Sequence, residues 1–96
     1  MATQQNNPLR AAIAAELRAV VARSDLTQEQ VAEAAGLSRA TVNRLLKGQR
    51  SVDSEQLIAI ATALGFDPGE VLDQARDRYL KQLARENPEA QGSLDN

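Results

Sequence analysis

The sequence predicts an all-α domain of five short helices, and three observations lead there. Only Phe66 and Tyr79 are aromatic among 96 residues, so the core must come from Leu, Ile, Val and Ala, a poor supply for a small sandwich or barrel. Those aliphatic side chains recur at helical spacing. The breaks between the runs carry helix punctuation, with polar caps before them and glycines after several of them. A chain of this length supports one core and therefore one domain.

The elements follow in order. Asn7 and Pro8 read as an N-cap and a first helical residue, where the missing proline amide costs nothing. Leu9, Ile13, Leu17, Val20 and Val21 keep helix 1 apolar on one side to about Arg23, with Arg10, Glu16 and Arg18 on other faces. Ser24 to Leu26 link it to helix 2. Thr27 and Gln30 form a capping-box pattern that starts helix 2 near Gln28, and Val31, Ala32 and Ala35 form its inner side. Gly36 supplies the positive φ that ends this helix and reverses the chain sharply. Ala32 and Ala35 let the neighbouring helices approach, and Leu37 plugs the angle between them. Ser38 caps helix 3, whose apolar stripe is Val42, Leu45 and Leu46. Arg39, Thr41, Asn43, Arg44 and Lys47 occupy much of the remaining circumference, and Gly48 marks the end.

After a polar loop from Gly48 to Val52, Asp53 or Ser54 caps helix 4, with Leu57, Ile58, Ile60, Ala61 and Leu64 inward and Gly65 as the stop. Phe66 is expected in the core. Asp67 and Pro68 open helix 5, which carries Val71, Leu72, Ala75, Tyr79, Leu80 and Leu83 and ends near Asn87 and Pro88. The domain is expected to span residues 8–87, with a disordered arm at 1–7 and a disordered tail at 88–96.

Composition removes several classes of function. With no cysteine and no histidine there is no disulfide framework, no thiolate or imidazole site for zinc, and no usual nucleophile or proton shuttle. The expectation is a protein without cofactor or metal that is not an enzyme. Asp67, Glu70 and Asp73 are explained as cap and helix-start acids rather than an acid-base pair. No run approaches the roughly twenty apolar residues needed to cross a bilayer, and Ala2 to Asn7 lacks a signal-peptide pattern. No membrane contact and a cytoplasmic setting are expected.

Thirteen acids against eleven bases at first argue against nucleic acid, but the charges are segregated. From Ala34 to Val52 there are four cations, Arg39, Arg44, Lys47 and Arg50, and no acid; from Asp53 to Ala75 there are five acids and no base. Phosphate is met by the local face, whatever the far side carries. Two short helices around a tight turn offer the second as a probe about as wide as the major groove of B-DNA.

These residues resemble the Cro and C1 repressor type of helix-turn-helix domain, the Xre family, from about Leu17 to Leu72. The resemblance rests on Thr27, Gln28 and Glu29, then Ala32, the turn Gly36, Ser38, Val42 and the closing Gly48, and continues through Leu57, Ala61, Leu64 and Gly65. It implies a compact, lambda-repressor-like five-helix bundle that binds double-stranded DNA, usually as a dimer. Two positions depart from the pattern: Leu46 stands where many relatives carry glutamate, and Val52 or Asp53 where many carry proline. Neither points at bases in the family, and Leu46 is expected to add core or subunit contact.

By the same resemblance, Arg39, Ala40 and Arg44 meet base edges, with Thr41 and Asn43 beside them. An arginine there can donate two parallel hydrogen bonds to guanine, and an alanine methyl can touch that of thymine. Gln28 is implied to hold a backbone phosphate and to brace a side chain of helix 3, and Thr27 and Ser38 to add hydroxyl contacts. Lys47, Gln49, Arg50 and Ser51 are expected to touch phosphates without specifying sequence. The plain alternative stays open: solvated arginines and lysines for the cations, capping alone for Thr27 and Ser38, and base, phosphate or water for Asn43.

Tyr79, Leu80 and Leu83 extend beyond what a minimal bundle needs, and a second copy is the natural cover. For Leu80, closure of the monomer's own core competes with that reading. A dimer sets two reading helices about one DNA turn, roughly 34 Å, apart and demands a near-palindromic operator. The sequence is thus read as a homodimeric transcriptional repressor of phage or stand-alone bacterial type, acting at the nucleoid, with no ligand-binding or self-cleavage domain following the DNA reader. The alternative is an antitoxin that represses its own operon and uses the acidic stretch, or the tail after Pro88, to hold a basic toxin or another regulator.

Overall fold

A computed structural model describes residues 7–86, in which the helices are α1 Pro8–Arg23, α2 Gln28–Ala35, α3 Arg39–Leu46, α4 Ser54–Leu64 and α5 Pro68–Glu86. Among the described residues there is no strand, and no helix is long and apolar enough to cross a membrane. Most of the expected arm and all of the expected tail lie outside the described residues. Asn7, the last residue of that arm, is the cap of α1, its side chain accepting from the Arg10 amide at 2.9 Å.

Local chemistry sets the helix ends. Thr27 and Gln30 form a reciprocal capping box on α2, and Asp53 and Gln56 form another on α4, so Asp53 rather than Ser54 is the cap. The Asp67 carboxylate accepts from the Glu70 amide at 3.1 Å at the start of α5. Gly36 has φ +73°, and the Leu37 amide donates to the Ala32 carbonyl at 2.9 Å, closing α2 and turning the chain within three residues.

The core is aliphatic. Leu17 and Val20 of α1, Val31 of α2, Val42 and Leu45 of α3 and Ile60 of α4 are fully buried, with Ala32, Leu46, Leu57, Ala61 and Val71 around them. Phe66, Leu37, Leu64 and Ile13 pack against this cluster as partly buried side chains. Each fully buried Leu, Ile or Val contributes about 1.5–3 kcal/mol relative to exposure. α5 runs along α1, while α2 sits between α3 and α4.

Four apolar positions differ from the expected pattern. Leu9, Ile58 and Leu72, all expected inward, are about half exposed, and Leu80, the candidate for closing the monomer's core, is exposed as well. Ile58 and Leu72 each follow a buried residue directly, and about 100° of helical rotation turns them away from it. α1 departs in the opposite direction: Glu16, expected on an outer face, is only 3% exposed. Its carboxylate accepts from Arg78 Nε at 2.8 Å and lies 3.6 Å from an Arg23 nitrogen, and the Arg23 guanidinium stands 5.4 Å from the Phe66 ring centroid. Ala12 and Glu16 form the side of α1 beneath α5, so burial of this carboxylate is matched by two cations.

Candidate nucleic-acid interface

α3 divides cleanly into two sides. Val42, Leu45 and Leu46 are buried, which fixes the rotation of the helix about its axis. At about 100° per residue, Arg39, Asn43, Lys47, Ala40 and Arg44 then share one outward arc of about 140°. Arg39, Ala40, Arg44 and Lys47 are exposed, Asn43 is half-buried, and Thr41 lies half-buried at the edge of the arc. Arg50 and Gln49, in the loop that follows, are exposed too. Among the described residues none of Arg39, Arg44, Lys47 and Arg50 makes an ion pair, so their positive charge is uncompensated.

The hydroxyl and amide groups around α3 are already oriented. Ser38 Oγ accepts from the Thr41 amide at 3.0 Å and donates to Thr41 Oγ1 at 2.8 Å, which leaves the Thr41 hydroxyl proton free to reach outward. Gln28, the first residue of α2, accepts through Oε1 from Asn43 Nδ2 at 3.4 Å, so the start of one helix braces the middle of the next. Thr27 is occupied as a cap, and its neighbours Gln28 and Glu29 present first-turn amides at the positive end of α2.

Two braces come from α1 and were not visible in the sequence. Arg18 donates to the Leu46 carbonyl at 2.6 Å, placing a guanidinium on the negative end of α3. Arg10 Nε donates to Ser51 Oγ at 3.1 Å, tying the loop after α3 to the first helix. Their partners are 28 and 41 positions away, beyond any local spacing rule. Gly48, with φ +72°, lets that loop leave α3 close to α1; a Cβ there would lie 3.5 Å from the Ala14 methyl.

The structure therefore gathers Arg39, Ala40, Thr41, Asn43, Arg44 and Lys47 on or beside one projecting surface, with Gln28 and Ser38 at its margin. Gln49, Arg50 and Ser51 continue from its exit. Tyr79, Leu80 and Leu83 lie elsewhere, on α5. Such a surface can enter a groove and meet phosphates on both rims.

Comparison with known proteins agrees with this geometry. The family model for the helix-turn-helix domain matches residues 12–74. The HTH-type transcriptional regulator PrtR of Pseudomonas aeruginosa is 44% identical over 55 residues, covering 57% of this chain and 21% of the relative. The chain thus spans about one fifth of the length of that curated relative. Two crystal structures of the clp gene regulator ClgR from Corynebacterium glutamicum superpose as well. One has a TM-score of 0.76 at 33% identity, covering 85% of this chain and 87% of that one; the other has 0.68 at 35%, covering 72% and 90%. With the buried and projecting sides of α3 laid out as above and a family match across most of the described helices, this chain belongs to the helix-turn-helix domain family, of the Xre-like type its residues resemble.

Proposed function

We propose that this chain is a sequence-specific regulator of transcription that inserts α3 into the major groove of double-stranded DNA and represses as a homodimer on a near-palindromic operator. The observation that carries the reading is the uncompensated cationic arc of α3, held outward by a fully buried opposite side. Arg39 and Arg44 are the base readers, Ala40 is the methyl contact, and Thr41 and Asn43 serve beside them. Lys47, Arg50, Gln49 and Ser51 take phosphates, as do Gln28 and the hydroxyls of Thr27 and Ser38. The working unit is residues 8–87.

The dimer reading is supported by α5. Leu72, Tyr79, Leu80 and Leu83 fall within about 100° of one another around the helix, with Leu72 and Leu80 exposed and Tyr79 and Leu83 half-buried. A second copy of the same stripe would cover it by a twofold axis. Tyr79→Asp is expected to convert the dimer to a monomer in sedimentation equilibrium and to weaken operator binding. An unchanged mass would remove α5 from the subunit contact.

Selection from random duplex DNA tests the whole proposal, since a recovered site with twofold symmetry is the expected outcome and the absence of any enriched sequence would reject it. On the selected site, Lys47→Ala is expected to weaken binding to all sequences alike and to reduce the slope of log affinity against log salt by about 0.9 per lost contact. A loss confined to the selected sequence would instead make Lys47 a base reader.

A further inference from the structure

A groove of about 560 Å³ lies between α1 and the C-terminal half of α5 and takes no part in the function proposed above. Its α1 wall is alanine, at Ala11, Ala12 and Ala15, and its edges are cationic, with Arg18 from α1 and Arg78, Lys81 and Arg85 from α5. Asp77 is the one acid that lines it. Arg78 is committed to Glu16, whereas Lys81 and Arg85 make no ion pair among the described residues. Arg18 gives its hydrogen bond to a neutral carbonyl, so its charge also remains.

This groove is continuous with the surface around α3. Ala11 and Arg18 also line a smaller cavity of about 210 Å³ that includes Arg10, Lys47 and Gly48, at the point where the chain leaves α3. Positive side chains therefore line both cavities, from Lys47 and Arg10 through the shared Arg18 to Lys81 and Arg85, with Asp77 the one acid among them. Around α5, Lys81 and Arg85 fall well over 90° from the centre of the Leu72, Tyr79, Leu80 and Leu83 stripe at about 100° per residue. A dimer closed through that stripe leaves the groove open.

We propose that the α1–α5 groove is a second phosphate-binding surface, which takes the sugar-phosphate backbone of the duplex flanking the segment read by α3. The inference rests on the DNA-binding function proposed above. An acidic peptide would answer to the same charge, but continuity with Lys47 favours a strand that has already passed the exit of α3. The alanine wall matters because a backbone can approach it closely, and each phosphate contacted there releases condensed counterions.

The test uses the full chain and a fluorescent duplex recovered by selection, in a short form and in a form extended by one helical turn on each side. Lys81→Gln with Arg85→Gln is compared with the charge-preserving pair Lys81→Arg with Arg85→Lys across a salt series. The wild-type chain is expected to bind the extended duplex more tightly. The glutamine pair is expected to lose that gain and to reduce the salt slope by about 0.9 for each contact, roughly 2 per protomer, while the charge-preserving pair keeps both. An unchanged slope in the glutamine pair overturns the proposal, and so does an equal loss in the charge-preserving pair, since shape rather than charge would then matter. If Arg44→Ala abolishes sequence preference while the glutamine pair binds like wild type, the groove alone is rejected; a wild-type chain that binds no duplex rejects the DNA-binding function with it. Loss of binding to a polyglutamate peptide, with DNA binding intact, assigns the groove to an acidic protein and overturns the proposal.

Discussion

Arg44→Ala is expected to lower affinity for the selected operator by about 5- to 150-fold, the equivalent of the 1–3 kcal/mol that a good bidentate contact to guanine supplies. Affinity for unrelated duplex should fall much less, so the measured quantity is the ratio of the two, taken by titration at one fixed salt concentration. Arg44 is exposed and makes no ion pair among the described residues, so its removal takes nothing from the core. Helicity and melting temperature should therefore stay within error of wild type. A chain that binds all sequences as before would show that this guanidinium only meets solvent. Arg39→Ala should behave alike but relax preference at a different base of the half-site, which assigns each arginine its own position.

The residue next in sequence should behave in the opposite way. Leu45 is fully buried, and Leu45→Ala removes its side chain from the cluster formed with Leu17, Val31, Val42 and Ile60. A loss of about 2–5 kcal/mol is expected, from transfer and cavity terms together, against a total stability of about 5–15 kcal/mol for an ordinary domain. Urea unfolding should show the midpoint fall, and the melting temperature should drop roughly 4–8 °C for each kcal/mol. DNA binding should weaken only as far as the folded fraction does. If Leu45→Ala instead leaves stability intact and alters sequence preference, the orientation of α3 described above is wrong. Side by side, the two substitutions separate recognition from folding across a single peptide bond.

How much of this could be read from the chain follows from distance along it. Thr27 with Gln30 and the glycines at 36 and 48 act on atoms three to five residues away, so the cap of α2, the α2–α3 corner and the exit of α3 were legible, while the cap of α4 was narrowed only to Asp53 or Ser54. The polar and apolar sides of α3 were legible for the same reason, because one helical period separates them. Ile58 and Leu72 were misplaced because α4 and α5 each have adjacent aliphatic residues, and periodicity cannot say which of two neighbours faces in. Glu16, Arg18 and Arg10 were missed because their partners lie 62, 28 and 41 positions away, and a lone charge on an amphipathic helix carries no local mark of burial or bracing. The groove between α1 and α5 was hidden likewise, since it exists only once the first and last helices are side by side.

The Glu16–Arg78 pair also bears on how the protein is made. During synthesis α1 emerges with the Glu16 carboxylate on the side that α5 will cover and only the largely exposed Arg23 to answer it, and the guanidinium that donates the 2.8 Å hydrogen bond arrives 62 residues later. Until then the reading surface can be present in outline while the first helix lacks its last neighbour. At translation speeds of about 5–20 residues per second, that interval lasts several seconds. Truncation before Arg78, by a nonsense codon or a protease, would leave a fragment with every side chain proposed to read bases and an unfinished first helix, a species that cellular quality control should clear rather than spare.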